Sequence, residues 1–267
     1  DIVEKVGRRI GEHSKRLGVH INFAPVVDIN TNPKNPIIGN RSFGEDRDNV
    51  TQKSVAFMRG MQSAGILANA KHFPGHGATD SDSHKTLPTI NFSKERIDSI
   101  ELYPYKRLIT EGLSSVMVAH LNVPSLEAQS GLPSSLSKSI VGDLLKGTLG
   151  FNGLIFTDAL NMKGAANFKQ PGAIDLAAFL AGNDVLLISE NIPKAHQLIV
   201  KAYHEKVISE KRLAHSVRKI LYAKYAVGLN DYHPVDTSFL VEDLNSVIDD
   251  VLYEQVMENA LTVLKNQ

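Results

Sequence analysis

The amino-acid sequence predicts an α/β fold: a TIM-type (β/α)8 barrel that lacks about three N-terminal units and continues into a linker toward a second domain. Three observations point to this fold. Short apolar runs alternate with segments whose apolar residues recur at helical spacing. Four of the five runs end in a polar or ionisable residue. The alternation then stops after Leu229.

The first unit of this pattern occupies residues 1–28. Apolar residues recur near helical spacing over residues 2–17, and Gly18 is a typical helix terminator. The run 21–27 is apolar and ends at Asp28. Such a run predicts a buried strand with a carboxylate at its C-terminal end.

The same unit recurs four times. Predicted helices at 46–64, 94–112, 135–148 and 171–181 lead into predicted strands at 66–71, 115–120, 153–158 and 184–188. Two more helical stretches follow, at about 193–208 and 210–226. This order of elements is typical of a parallel sheet whose strands are joined by helices.

The residues that end the predicted strands favour a barrel over an open, doubly wound sheet. They are Asp28, Lys71, His120 and Asp158. In a barrel all strand C-termini point to one face, so these side chains would converge there, whereas a doubly wound sheet gathers them only at its switch point. Five units cannot close eight strands, so we expect about three more units upstream of residue 1.

The C-terminal part follows a different pattern. Residues 230–234 are turn-rich, and one helix is predicted at roughly 244–258. The last residues, 260–264, form a strand-like apolar run. We therefore divide the chain into a partial barrel domain, 1–229, and a segment 230–267 that contains a linker, a helix and the first strand of a second α/β domain.

Composition excludes several classes of protein. The chain has 29 basic and 29 acidic residues, so it lacks the positive charge that nucleic-acid binding requires. No apolar run approaches the roughly 20 residues that span a bilayer. The chain contains no cysteine, which excludes disulfides and thiolate metal sites. Its first residues are not a signal peptide.

The loop from Lys71 to His84 is the richest in chemistry-bearing residues. It contains three histidines, and Pro74, Gly75 and Gly77 prevent a helix. An aspartate two residues before a histidine, as in Asp82 and His84, can orient the imidazole and stabilise its charged form during proton transfer. Two alternatives are a solvated polar loop and a metal site. A helical i, i+4 ligand pair is excluded because of the proline and glycine.

Two further segments carry candidate site residues. Asp158 ends a predicted strand, where a carboxylate can attack a bound electrophile, but it could instead cap the helix expected near Asn161. Arg41 lies in the loop 35–46, which is rich in glycine and proline. Its guanidinium could bind hydroxyl or carboxylate groups, or could pair with the nearby acidic residues and hold the loop together.

These motifs together resemble glycoside hydrolase family three, and specifically its β-N-acetylglucosaminidase branch. The most specific are the Lys-His-Phe-Pro-Gly-His-Gly run at 71–77, the Asp-Ser-His at 82–84 and the Thr-Asp-Ala-Leu-Asn-Met run at 157–162. Segments 22–28, 38–46 and 117–120 follow the family's order. The resemblance extends from residue 1 to about 229, so the predicted barrel domain would be the catalytic domain.

The resemblance implies a role for each candidate residue. Asp158 matches the family's nucleophile, and Asp82 with His84 matches the dyad that replaces the usual carboxylate acid/base. Arg41, Lys71 and His72 match positions that bind sugar hydroxyls or the acetamido group. His120 is at another strand end, and Met162 matches a wall position near the sugar. We expect no direct sugar contact from Asp28.

The implied activity is removal of terminal β-linked N-acetylglucosamine through a covalent glycosyl-aspartate, with no metal and no cofactor. The expected partner is a glycan or muropeptide that contains this sugar, and peptidoglycan turnover is the favoured setting. Phosphorolysis, a non-catalytic carbohydrate-binding role and metal-dependent hydrolysis are the alternatives. A periplasmic or secreted location is favoured over the cytoplasm.

One feature of the family has no match in this chain. Members carry an Asp-Gln-Glu-Gly-Gly-like motif whose carboxylate binds the sugar's hydroxyls, and no such motif occurs here. We expect it just before residue 1, on the last of the upstream units. At the other end, residues 260–267 resemble the opening strand of the second domain of longer members, so additional domains are expected.

Overall fold

The computed structural model describes residues 1–83 and 85–262. Its sheet has four parallel strands in the order β1-β2-β3-β4. The strands are β1 (Ile21–Asn22), β2 (Leu67–Phe73), β3 (Ser115–Val118) and β4 (Leu154–Thr157). Since consecutive strands are neighbours and all run the same way, their C-terminal ends lie along one edge of the sheet. The predicted parallel α/β architecture is confirmed.

Helices alternate with these strands and continue beyond them. They are α1 (Ile2–Arg16), α2 (Arg47–Ser63), α3 (Lys94–Ser99), α4 (Tyr103–Thr110), α5 (Lys163–Ala166), α6 (Ala173–Ala181), α7 (Ile192–His204), α8 (Glu210–Ala226), α9 (Leu240–Leu244) and α10 (Val247–Ala260). A π-helix, Ser139–Thr148, lies between β3 and β4. Short 3-10 turns occur at Gly39–Arg41, Ser134–Leu136 and Leu229–Asp231.

Two predicted elements differ from the structure. The single helix expected at 94–112 is two helices, because the chain turns between α3 and α4 and Pro104 occupies the first turn of α4, where its missing N–H costs nothing. The strand expected at 184–188 is reduced to one parallel bridge between Phe156 and Val185. Ile188, with φ of 47°, leaves the extended conformation that a longer strand requires.

The C-terminal segment packs back onto α1. Arg9 on α1 donates to both carboxylate oxygens of Asp249 on α10, at 2.5 and 2.8 Å. Arg16 donates to Asp243 on α9 at 2.7 Å. The predicted helix at 244–258 corresponds to α10. The strand expected at 260–264 begins differently, since Ala260 still belongs to α10 and residues 261–262 are in no strand. Residues 263–267 lie outside the described residues, so the remainder of that strand and the division into two domains stay predictions.

The largest hydrophobic cluster lies between the sheet and the helices on its outer face. Phe73 of β2 and Tyr105 of α4 meet edge to face, with ring centroids 5.1 Å apart, and both are fully buried. Met58 and Met61 of α2 belong to the same cluster. This packing supports the sheet from behind and leaves the edge formed by the strand C-termini for the site.

Helices α1 and α2 pack with their backbones in close contact, and glycines make this possible. A Cβ placed on Gly60 would lie 1.9 Å from the carbonyl oxygen of Glu4, and one on Gly7 would lie 2.2 Å from that of Phe57. No side chain fits at these distances, so the two helices can approach this closely only with glycine at both positions.

Replacing Gly60 by alanine is expected to lower the free energy of unfolding by about 3 kcal/mol, since the helices must separate to admit the methyl group. This loss would exceed the roughly 1 kcal/mol by which alanine favours a helix over glycine. Urea unfolding measures the change. Gly147, whose added Cβ would meet nothing closer than 3.6 Å, is the matched control. A Gly60→Ala protein as stable as Gly147→Ala would contradict the packing argument.

No helix among the described residues is both long enough and apolar enough to cross a membrane.

Candidate active site

A cavity of about 240 Å³ opens at the C-terminal ends of the strands. Its lining is drawn from strands β2 and β3, from the loops that follow β1, β2 and β4, and from the segment beside β4: Phe23, Ile37, Arg41, Lys71, His72, His76, Ser83, Met117, Asp158, Ala159, Leu187 and Ile188. Four larger pockets, of about 510, 630, 420 and 270 Å³, contain no residue from a strand C-terminus. The small cavity is therefore the candidate active site.

Asp158 follows β4 directly and faces this cavity. Its backbone N–H donates to the carbonyl of Val118 at 2.8 Å, which continues the β3–β4 pairing by one residue. Its Oδ1 accepts from the N–H of Ala159 at 2.8 Å. Helix α5 begins only at Lys163 and has Met162 as its N-cap, so Asp158 does not act as the helix cap that the sequence left open.

His120 holds the backbone behind Asp158. It is fully buried, and its Nε2 lies 2.9 Å from the carbonyl of Ala159 while its Nδ1 lies 2.7 Å from the hydroxyl of Ser135. A carbonyl can only accept, so Nε2 donates and Nδ1 accepts. Burial lowers the pKa of His120, and Asp158 partly opposes this. Both nitrogens are occupied by the protein, and this imidazole does not line the cavity. The sugar contact that the resemblance implies for His120 stays a prediction.

Met162 is likewise placed away from the cavity lining. It is 6% exposed and caps α5 instead of forming a wall of the 240 Å³ space. Sequence reasoning matched it to a family motif but had no means of knowing the direction of its side chain. Its contact with the sugar stays a prediction.

A buried carboxylate, Asp28, organises the histidine loop. Neighbouring strands β1 and β2 bring it next to His72, because Val26 and Lys71 are bridge partners. Its oxygens accept from the backbone N–H of His72 at 3.1 and 3.2 Å, from that ring's Nδ1 at 2.7 Å and from the N–H of His76 at 2.7 Å. Burial alone would raise the pKa of Asp28, but the two histidines outweigh it and hold that pKa below its usual value.

This carboxylate determines how His72 faces the site. A carboxylate accepts only, so Nδ1 carries the hydrogen and Nε2 is left to the cavity side. There Nε2 lies 3.4 Å from Nη2 of Arg41, which can only donate. Arg41 also donates to the carbonyl of Ile37 at 3.2 Å and makes no ion pair with Glu45 or Asp46, the partners that the sequence left open.

Lys71 contributes a second cationic group to the cavity. Burial and the nearby Arg41 hold the pKa of Lys71 below its usual value, and Asp158 and Asp28 oppose this only in part. No hydrogen bond or ion pair involves its ammonium within residues 1–83 and 85–262. The arrangement places Lys71, Arg41 and His72 around one space with Asp158, as the resemblance predicted for substrate-binding positions, although their contacts with a sugar stay predictions.

His76 is a site residue that the sequence reasoning missed. It is buried, and its Nδ1 and Nε2 contact the hydroxyls of Thr79, at 2.7 Å, and Ser83, at 3.1 Å. Burial lowers its pKa, and Asp28 partly opposes this. The sequence shows that the loop is rich in histidine. It does not show how the loop folds, and it is this fold that lets His76 contact Thr79 and Ser83 of the same loop.

The predicted Asp82–His84 pair is only partly described. The backbone carbonyl of Asp82 accepts from the N–H groups of Lys85, at 2.9 Å, and Thr86, at 3.0 Å. Its carboxylate lies 4.0 Å from the ammonium of Lys85. His84 lies outside the described residues, so its pairing with Asp82 and its role as acid/base stay predictions. Ser83, between them, reaches the cavity.

Within the described residues, no three histidine, aspartate or glutamate side chains form a group that could hold a metal ion.

The glycosyl hydrolase family 3 N-terminal domain matches residues 1–223. The chain belongs to this family. It is similar to β-hexosaminidase A of Pseudoalteromonas piscicida, with 37% identity over 194 residues, which cover 69% of this chain and 32% of that protein. A solved structure of a family 3 β-N-acetylglucosaminidase from Paenibacillus sp. str. FPU-7 has a TM-score of 0.93 and 35% identity, and covers all of this chain and 51% of that one.

A third similar structure is that of a β-glucoside phosphorylase, with a TM-score of 0.92 and 26% identity over 99% of this chain and 49% of that one. The chain thus spans between about a third and a half of the length of these relatives. These findings confirm the predicted family, its hexosaminidase-type relatives and the barrel class, of which the four parallel strands form one arc.

Proposed function

We propose that the protein carrying this chain is a retaining glycoside hydrolase that removes terminal β-linked N-acetylglucosamine. The observation that supports this most is the shared cavity. Asp158, at the end of β4, and Ser83, directly before His84 in the chain, line the same 240 Å³ space with Lys71 and His72. A nucleophile and a proton-transfer loop on one small pocket are what double displacement at a sugar requires.

In the first step, Asp158 attacks the anomeric carbon while the bond to the leaving oxygen breaks. His84, oriented by Asp82, gives its proton to that oxygen. In the second step, water attacks the same carbon, His84 takes the water's proton, and the Asp158 carboxylate leaves. Two inversions retain the anomeric configuration. The N–H of Ala159, bonded to Oδ1 of Asp158, orients the attacking carboxylate.

The size and charge of the cavity favour a terminal monosaccharide. Its volume is below the roughly 300–1,000 Å³ of pockets for drug-sized ligands, so one sugar would fill it. Arg41 and Lys71 offer donors to hydroxyl and carbonyl oxygens, and Nε2 of His72 offers an acceptor to a hydroxyl hydrogen. We propose muropeptides of peptidoglycan as the natural source of this sugar, and a periplasmic or secreted location that would give access to them.

Phosphorolysis is the second candidate, and one observation favours it. Two cationic side chains, Arg41 and Lys71, line the cavity, and a structural neighbour is named as a β-glucoside phosphorylase. A neutral imidazole base would also repel phosphate less than a carboxylate base. Assays in the presence of inorganic phosphate separate the two reactions, since phosphorolysis yields a sugar 1-phosphate. Sugar binding without either product would indicate a carbohydrate-binding role.

Replacing His84 by alanine tests the proton transfer. We expect kcat/KM for methyl N-acetyl-β-glucosaminide to fall by about a hundredfold or more, because its poor leaving group needs the proton. The para-nitrophenyl glycoside, whose leaving group needs none, should lose much less. Comparison of the two substrates measures the difference. His233→Ala, at an imidazole 80% exposed and outside the cavity, is the control. Equal losses for both substrates would argue against proton donation by His84.

A further inference from the structure

Ser83 is the residue directly before His84, and the fold holds it at two points. It is 2% exposed although it belongs to a loop. Its hydroxyl contacts Nε2 of His76 at 3.1 Å, and its carbonyl accepts from the N–H of Gly164 at 3.1 Å. The first contact comes from the loop after β2 and the second from α5, which follows β4.

The first contact is part of a short chain of hydrogen bonds. The hydroxyl of Thr79 lies 2.7 Å from Nδ1 of His76 and 3.0 Å from the carbonyl of the same residue. If that hydroxyl donates to the carbonyl, Nδ1 carries the hydrogen and Nε2 accepts from the hydroxyl of Ser83; in the other tautomer Nε2 donates to Ser83. Burial lowers the pKa of His76, which favours a neutral ring in both arrangements.

His76 is itself firmly anchored. Its N–H donates to Asp28 at 2.7 Å, and its carbonyl accepts from the side-chain amide of Asn35 at 2.8 Å. Asp28 and Asn35 are both buried and belong to the segment that follows β1. The ring nitrogen that contacts Ser83 is thus fixed to the sheet through the end of the neighbouring strand.

The second contact depends on a glycine. A Cβ on Gly164 would lie 2.9 Å from the carbonyl oxygen of Ser83, 2.9 Å from that of Thr86 and 3.3 Å from the Cβ of His120. Any side chain at position 164 would therefore push the loop away from α5. Beyond position 84, the N–H groups of Lys85 and Thr86 bond back to the carbonyl of Asp82, so the residues on both sides of position 84 are held.

We propose that His76 and Gly164 are positioning residues that set the place of the proton-transfer loop through Ser83. This inference rests on the proposed function, in which His84 exchanges the proton. Proton transfer is sensitive to the position of the donor, and a misplacement of about 1 Å can cost a hundredfold in rate. Without the two contacts, the loop would retain its residues but lose the geometry that makes them effective.

Ser83→Ala, which removes only the hydroxyl, and Gly164→Ala, which adds only a methyl group, test this inference in the natural full-length protein. For each we expect kcat/KM for methyl N-acetyl-β-glucosaminide to fall between about ten- and a hundredfold. The para-nitrophenyl glycoside should change by less than about twofold. The control is Ser81→Ala, in the same loop, whose hydroxyl bonds only the exposed Asp80.

The two-substrate comparison separates positioning from folding, since a partly unfolded variant loses activity on both substrates equally. Equal losses, or no loss in either variant, would overturn the inference. His84→Ala is measured in parallel. If it impairs the methyl glycoside selectively while Ser83→Ala does not, the positioning role is wrong and the proposed function stands. If His84→Ala shows no selectivity, the proposed function fails and this inference fails with it.

Discussion

Replacing Asp158 by alanine is expected to reduce turnover of aryl N-acetyl-β-glucosaminides at least about a thousandfold, because the covalent route disappears with its nucleophile. The carboxylate follows β4, lines the cavity and has one oxygen held by the N–H of Ala159. His120 bonds to the carbonyl of the same residue, Ala159, and is untouched by the substitution. The loss should therefore fall on kcat without a matching loss of folded protein.

The product of a rescue experiment distinguishes a nucleophile from a general base. Azide added to Asp158→Ala can occupy the space of the lost carboxylate and attack the anomeric carbon once, which yields the α-glycosyl azide from a β-glycoside. The matched control is Asp143→Ala, at an exposed carboxylate on the π-helix outside this cavity, which should keep full turnover. Near-normal hydrolysis by Asp158→Ala would refute the assignment.

Asp28→Asn is expected to lower the free energy of unfolding by about 3 kcal/mol, although the two side chains have nearly the same shape. Each oxygen of Asp28 accepts a hydrogen bond of 2.7 Å, from Nδ1 of His72 and from the N–H of His76. An asparagine has only one oxygen, so its amide group must face one of these donors, and a buried donor loses its partner. Urea unfolding measures the loss.

An exposed pair of the same chemistry serves as the control. The carboxylate of Asp231 lies 3.4 Å from Nε2 of His233, and the two side chains are 82% and 80% exposed. Asp231→Asn should therefore leave the free energy of unfolding unchanged. Activity gives a second readout, because the substitution also disturbs the ring of His72 that faces Arg41. Equal stability of the Asp28→Asn and Asp231→Asn proteins would contradict the anchoring role of Asp28.

The sequence pattern predicted the sheet and most of the helices because both depend on local periodicity. Four of the five predicted strands are present, and each of the two differences has a physical cause that periodicity does not record. Pro104 starts a new helix inside a continuous amphipathic pattern. The segment 184–188 is apolar enough for a strand, but only Val185 forms a bridge with β4.

The site was predictable where function depends on residue type at a strand end. Asp158, Lys71 and His72 line one cavity as expected. His120 was expected to contact the sugar, whereas its ring nitrogens bond to Ser135 and Ala159. Asp28, from which no sugar contact was expected, is a buried support of the histidine loop. Both residues have partners that come from distant parts of the chain. Asp28 bonds to residues 44 and 48 positions away, and His120 bonds to one 39 positions away. A polar residue at a strand end can face the substrate or support a neighbour, and its type does not distinguish these roles.

Residue order alone predicted the family, the parallel architecture and most of the candidate chemistry-bearing groups, since these follow from periodicity, motif spacing and side-chain type. The hydrogen-bond partners in the histidine loop were decided only by the three-dimensional arrangement. Which ring nitrogen of His76 accepts depends on where the hydroxyl of Thr79 sends its single hydrogen. Such a choice needs the positions of several groups at once, and no linear pattern contains them.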